Sequence, residues 1–166
     1  MKILLVASSN SEIKLLRDKL TLVAKISDNL FAYKIGTLDI DILVTGHGSI
    51  FMAYHLTKTL HTYNYDLAIN AGIAGSFDYF LELGFVVNVV QDQFADLGFE
   101  EKDSFFTLGE KEMMNEDAFP FTGEVIRSLG NFEIDAIESL IPVKAITVNT
   151  LHGRQEHIQK VKKKFS

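Results

Sequence analysis

The groups of this chain best suited to chemistry are a carboxylate near the N-terminus, a histidine flanked by glycines, and a second glycine loop. Glu12 follows an apolar run and the small polar stretch Ser8-Ser9-Asn10-Ser11. At a helix start beyond a strand end, such a side chain faces the cleft where open α/β sheets bind ligands. A carboxylate there serves as a general base toward water. Ser9-Asn10-Ser11-Glu12 also matches the S-x-x-E capping box, in which the glutamate satisfies a backbone donor. Sequence physics leaves both roles open. Gly46-His47-Gly48-Ser49 lets the backbone approach a ligand closely, and a following helix start favours an anion or hydroxyl. His47 suits acid–base work by its intrinsic pKa, but with no carboxylate partner in view it also reads as a solvated loop residue. Gly72-Ile73-Ala74-Gly75 is either a tight turn or a backbone floor under a ribose or base. Asp96 with Glu100-Glu101 either divides acid and base roles or forms solvated surface. His152 either stacks on a base or lies at the surface.

Other chemistries lose their support. His47, His55, His61, His152 and His157 show no HxH, HxxxH or HExxH spacing, which disfavours zinc. No GxxxxGK[ST], strand-following GxGxxG or GxSxG is present, so Walker ATPase, Rossmann dehydrogenase and α/β-hydrolase readings fall away. The 166 residues, 47% apolar with net charge −6, suit one domain with a real core and argue against a nucleic-acid surface. No apolar run is long enough to cross a bilayer, and MKILLVASSN reads as a buried strand rather than a signal peptide. A cytoplasmic location follows as the default. Zero cysteines exclude disulfides and thiolate metal sites. Lys160, Lys162, Lys163 and Lys164 form either an anion patch or a helix C-terminal turn, where cations complement the dipole.

The elements that must position these groups follow from periodicity. Lys2–Ala7 and Leu38–Val44 are apolar runs typical of parallel strands, and Leu67–Ala71 is a third. Glu12–Leu20 has helical spacing at Ile13, Leu15, Leu16 and Leu20, and Ile50–Leu60 reads as a crossover helix. Leu38–Val44, that helix and Leu67–Ala71 should share one parallel sheet. Both glycine loops then lie beyond the carboxyl ends of neighbouring strands. Leu22–Ile26, Leu30–Ile35, Phe85–Val90 and Val143–Val148 complete the strands. Gln91 to Gly123 mixes acids with phenylalanines without a period and reads as an irregular excursion bordering a pocket. Glu124–Leu129 reads as a short helix, Ile134–Leu140 is ambiguous, Asn149–Gly153 is a loop, and Glu156–Phe165 is a final helix. The fold class is α/β, a mixed central sheet with helices on its faces.

Several linked motifs in order carry a resemblance. VTGHGSIFMAYHLTKTL, YDLAINAGIAGSF and LGFVVNVV resemble the nucleoside phosphorylase/nucleosidase superfamily, and FADLGFEE, EDAFPFTGE and ITVNTLHG narrow it to the futalosine hydrolase family, itself similar to methylthioadenosine/S-adenosylhomocysteine nucleosidases. The resemblance implies a three-layer nucleoside-phosphorylase-like fold and hydrolysis of an N-glycosidic bond, with no metal or organic cofactor. Its implied substrate is futalosine, cleaved to hypoxanthine in menaquinone biosynthesis. It implies that Glu12 activates the attacking water, that Gly46 and Gly48 border ribose and water, and that Ala74 and Gly75 line the nucleoside pocket. Phe94 and the Asp96 region would border that pocket, with His152 and Gly153 on the purine. Phosphorylases of the superfamily carry an arginine soon after the first strand, where this chain has Ser8-Ser9-Asn10, and this favours hydrolysis. The implied partner is a small purine nucleoside, in a homodimer or higher homo-oligomer. The family pattern continues past Ser166 with a Met-Glu motif for the ribose and an aspartate for the purine. On that reading the domain is C-terminally truncated, and the 166 residues alone are expected to be inactive or nearly so.

Overall fold

A computed structural model describes residues 1–102, 104–128 and 134–165. They fall into two compact units, Met1–Gly75 and Ser76–Ser166. The first contains β1 (Lys2–Ala7), α1 (Lys14–Arg17), β2 (Thr21–Lys25), β3 (Leu30–Ile35), β4 (Leu38–Val44), α2 (Ser49–Thr62) and β5 (Leu67–Asn70). The second contains β6 (Val87–Phe94), β7 (Gly98–Glu101), β8 (Ser104–Thr107), β9 (Phe121–Thr122), β10 (Val125–Arg127), α3 (Asp135–Glu138), β11 (Ile141–Thr147) and α4 (Gln155–Phe165).

In the first unit the strands form one mixed sheet in the order β2-β3-β4-β1-β5. β1 is parallel to both β4 and β5, whereas β2, β3 and β4 form an antiparallel meander. Alternation along β1 sends successive side chains to opposite faces. Leu5 and Ala7 join Ile13, Tyr33 and Ile42 on one face; Leu4 and Val6 join Leu30 and Leu43 on the other, under Met52 and Leu56 of α2. Leu4, Ile42 and Leu43 are the largest fully buried side chains. Each such burial contributes about 1.5–3 kcal/mol before the opposing entropy.

Two elements differ from the pattern the sequence suggests. β4 and β5 are not neighbours, because β1 lies between them. The 12–20 helix shrinks to α1, and its last turns tighten into i→i+3 bonds from Lys19 N–H to Leu16 O and Leu20 N–H to Arg17 O. Ile13 and Leu20 pack against the sheet, but Leu15 and Leu16 are exposed, so helical spacing overstated the apolar face.

The second unit builds a mixed sheet in the order β11-β6-β10-β9, and β7-β8 form a separate hairpin. β6 and β11 run parallel, with a register shift between Val143 and Lys144. β6 starts and ends later than Phe85–Val90, because its polar half is paired: Thr147 Oγ1 donates to Asp92, and Arg127 Nη1 donates to Gln91 Oε1. The 91–123 excursion is therefore partly strand. The short helix predicted from Glu124 is instead β10, and its far end, Leu129, lies outside the described residues. Gly123 and Glu124 both have positive φ and form the two-residue turn of the β9–β10 hairpin. The Glu124 carboxylate accepts from Gly109 N–H and Thr107 Oγ1, which offsets its strained backbone. Residues 134–140 contain α3. In α4 the lysines end the helix as the dipole favours, and Lys164 also pairs with Glu110 and donates to Phe105 O. Among the described residues no helix is long and apolar enough to cross a membrane.

One charged side chain is buried in the first unit. Asp41 on β4 is 2% exposed; it pairs with Lys2 Nζ at 2.9 Å and accepts from the Tyr65 hydroxyl at 2.8 Å. Burial, and then that hydrogen bond, push the Tyr65 hydroxyl well above the usual phenol range. Tyr65→Phe strips a donor from a buried carboxylate without changing the ring. Chemical denaturation should show a loss of about 1.5–3 kcal/mol, the range for hydrogen bonds to charged groups; an unchanged midpoint would show that Lys2 alone satisfies Asp41.

Candidate active site

The carboxyl end of β1 organises the groups singled out in the first unit. Thr45 N–H donates to Ala7 O at 2.9 Å, Gly46 N–H to Ser8 O at 3.1 Å, and Ala71 N–H to Val6 O at 2.9 Å. Because β1 lies between β4 and β5, both glycine loops flank one strand end rather than each other. Gly46 and Gly48 have φ of +86° and +101°, where side-chain-bearing residues are disfavoured. Gly48 is also the N-cap of α2 and supplies no side chain there.

Glu12 sits between these loops. Its Oε2 accepts from Ser8 Oγ at 2.7 Å and from Ser9 N–H at 2.9 Å. The Ser9 contact is one half of the capping box; the other half is absent, since Ser9 Oγ pairs with Ser11 Oγ instead. Oε1 has a 3.5 Å contact from Ile73 N–H, at the weak end of hydrogen bonding. A Cβ on Gly72 would lie 3.2 Å from Oε1, so the absence of a side chain keeps that side of the carboxylate open. Oε2 is committed to the scaffold, and Oε1 is the oxygen left to take a proton. Burial raises the Glu12 pKa, but donors from Ser8, Ser9 and Ile73 outweigh it and hold the carboxyl below its usual range. The group is therefore ionised at neutral pH, as a base must be.

His47 is exposed, and its Nδ1 lies 3.2 Å from the same Ser8 hydroxyl. The carboxylate partner missing from its sequence neighbourhood is thus Glu12, reached through one hydroxyl. In the sequence Ser8 stands out only as the position where phosphorylases carry arginine; its link to Glu12 has a faint signal, the four-residue spacing across a strand end. Ala74 and Gly75 are exposed, and of that loop it is Gly72 and Ile73 that touch Glu12.

In the second unit Phe94 ends β6 and packs at 6.4 Å from the Phe121 ring. Asp96 does not pair with Glu100 or Glu101. Its carboxylate accepts from the N–H groups of Asn149 and Thr150 and from the Asn149 side chain, which ties down the loop that carries His152. Glu101 pairs with Lys111, and Glu100 lies exposed on β7. His152 is half-buried, with its ring edge-on to His157 at 5.6 Å, and Gly153 is exposed. Among the described residues no three metal-binding side chains converge.

No family model matches the chain. A 5'-methylthioadenosine/S-adenosylhomocysteine nucleosidase of Lysinibacillus sphaericus is 33% identical over 90 residues, 52% of this chain and 39% of that protein. The match therefore spans well under half of the relative's length. The structure of S-adenosylhomocysteine nucleosidase from Streptococcus pyogenes, in complex with 5-methylthiotubericidin, superposes with a TM-score of 0.73 at 17% identity, covering 99% of this chain and 70% of that one. A futalosine hydrolase mutant of Helicobacter pylori gives 0.70 at 11% identity, covering 99% and 76%. The chain has the α/β fold of these nucleosidases, with mixed sheets and flanking helices.

The carboxylate geometry has a pH consequence. A depressed pKa in the folded state adds stability above the unfolded value of 4.5, and this is lost as pH falls through the folded value. Carbon-detected NMR titration should give Glu12 a midpoint below the ordinary 4.5. Ser8→Ala should raise the Glu12 midpoint by removing its leading side-chain donor, and equal midpoints for Glu12 in both proteins would contradict the arrangement.

Proposed function

We propose that the chain belongs to a purine nucleoside N-glycosidase in which Glu12 activates water. The observation that carries this reading is the division of labour within the Glu12 carboxylate, with Oε2 held by Ser8 and Ser9 and Oε1 open beside Gly72. Water held at Oε1 gives up a proton to it as its oxygen attacks the anomeric carbon of the ribose. The C–N bond breaks, its electron pair leaves with the purine, the purine takes up a proton from solvent, and Glu12 returns the proton it accepted to solvent. An ionised carboxylate also favours the positive charge that builds on the ribose ring in an oxocarbenium-like transition state. In the first unit Gly46 and Gly48 then border the ribose, and Ala74 and Gly75 line the pocket.

Water is the favoured acceptor over phosphate. The negative Glu12 repels a phosphate dianion at the same strand end. Arg17, the arginine nearest in sequence, hydrogen-bonds Asn10 and lies over the Phe31 ring. Phosphorolysis needs charge-assisted donors for the anion.

Futalosine is the proposed substrate, supported by FADLGFEE, EDAFPFTGE and ITVNTLHG and by the shared fold of the Helicobacter pylori hydrolase. A second reading, cleavage of methylthioadenosine or S-adenosylhomocysteine, is favoured by the 33% identity to the Lysinibacillus nucleosidase. The protein should be given futalosine and methylthioadenosine side by side, with and without phosphate, and the products identified by mass spectrometry. Free hypoxanthine without phosphate dependence is the expected result. Faster release from methylthioadenosine selects the second reading, and phosphate-dependent sugar 1-phosphate rejects hydrolysis. Glu12→Gln should lower kcat by about 10²–10⁴-fold, the usual worth of a general base. Unchanged turnover would remove Glu12 from the mechanism.

A further inference from the structure

We infer that His47 is a positioning residue for Glu12, acting through the Ser8 hydroxyl, so that the hydrogen bonding of Glu12 follows the protonation and tautomer of His47. Ser8 Oγ lies 2.7 Å from Glu12 Oε2 and 3.2 Å from His47 Nδ1. A hydroxyl has one hydrogen to give. An ionised carboxylate only accepts, so that hydrogen belongs to Oε2. The contact with His47 then requires Nδ1 to donate and Oγ to accept. This holds for the imidazolium ion and for the neutral Nδ1–H tautomer. The neutral Nε2–H tautomer presents a lone pair at Nδ1 and competes with Glu12 for the same hydrogen. The two bonds, Nδ1–H to Oγ and Oγ–H to Oε2, polarise one another in one direction.

His47 lies on an exposed loop and exchanges protons with solvent, while Glu12 is half-buried. The relay therefore carries a solvent signal to the carboxylate without a direct contact. When His47 donates, Oε2 keeps both donors and Oε1 alone acts on water. When His47 accepts, the Ser8 hydroxyl turns away, the carboxylate keeps only its backbone donors from Ser8, Ser9 and Ile73, and it gains basicity. Charged side chains of the surrounding elements are engaged elsewhere. Lys14 pairs with Asp18, Arg17 bonds Asn10, Asp39 pairs with Lys34, and Asp41 pairs with Lys2. On α2, His55 bonds Asn29. The 72–73 loop faces the carboxylate with backbone only.

The functional consequence rests on Glu12 acting as the base; the relay itself does not, and its test needs no substrate. The 166-residue chain, labelled with 15N in histidine, is examined by long-range proton–nitrogen correlation with His61 as an internal exposed reference. The expected result is that neutral His47 shows the Nδ1–H signature in the wild type and reverts to the solution-typical Nε2–H form in Ser8→Ala. The Glu12 midpoint, followed on its carboxyl carbon, should move up in His47→Phe. It should return toward the wild-type value in His47→Gln, whose amide can donate to Ser8. The same His47 tautomer in wild type and Ser8→Ala would overturn the inference, as would a Glu12 midpoint indifferent to His47→Phe. The His47 variants lie on an exposed loop, so they keep the test decisive if Ser8→Ala fails to fold. Loss of nucleosidase activity in every assay would count against the proposed function while leaving these signatures intact.

Discussion

A strand buried on both faces fixes where its end lies, and this constraint organises the first unit. β1 carries side chains into both apolar clusters and pairs with parallel strands on both edges. Displacing it would break two ladders and open two cores together. Residues 6 to 8 accept backbone bonds from both glycine loops, so the loops inherit that rigidity. Preorganisation of this kind is what a water-activating carboxylate requires, because small misplacements of a reacting group are costly.

The carboxylate itself resolves a competition that the sequence left open. A glutamate at a capping position spends its oxygens on backbone N–H groups, whereas a base must keep one oxygen in reserve. Glu12 does both, because Ser8 and Ser9 take the same oxygen. The stabilisation comes from neutral donors rather than a cation. That choice matters for the proposed hydrolysis. A lysine or arginine beside Glu12 would hold the charge more firmly, but it would oppose the positive charge developing on the sugar and invite an anion into the site. Hydroxyl and amide dipoles keep the carboxylate ionised without adding a net positive charge.

The strands of the first unit were legible because apolar runs and β-branched residues decide buried parallel strands almost alone. Sheet order was not legible, since the crossover from β4 to β5 has the same sequence whether it skips β1 or not. The hairpin turn at Gly123-Glu124 escaped notice because glutamate seldom adopts positive φ, and only its bonds to Gly109 and Thr107, set by tertiary structure, explain it. α1 was overread for the opposite reason: helical spacing at Leu15 and Leu16 marks residues that the fold leaves in solvent. Of the site candidates, the placement of Glu12 and the glycine loops beyond strand ends was legible from type and position. The contacts of Ser8 and Gly72 with Glu12 were not, because a hydroxyl bridge and a missing Cβ leave no pattern in a single chain.

The same limit hides the part played by Asp96 from the sequence. A cluster of acids reads as paired carboxylates or as solvated surface, and Asp96 is neither: it caps the loop at Asn149-Thr150 with three donors on one carboxylate. Glu12 in the first unit and Asp96 in the second both sit past a strand end and accept from backbone N–H groups, Glu12 from Ser9 and Asp96 from the loop at Asn149-Thr150. The physical logic is common to the two. Loop amides released from the sheet need acceptors, and an acidic side chain at the strand end supplies them at short range. What separates a candidate base from a cap is then the fate of the second oxygen. In Asp96 it lies 3.4 Å from the Asn149 amide, whereas in Glu12 it is kept open by a glycine.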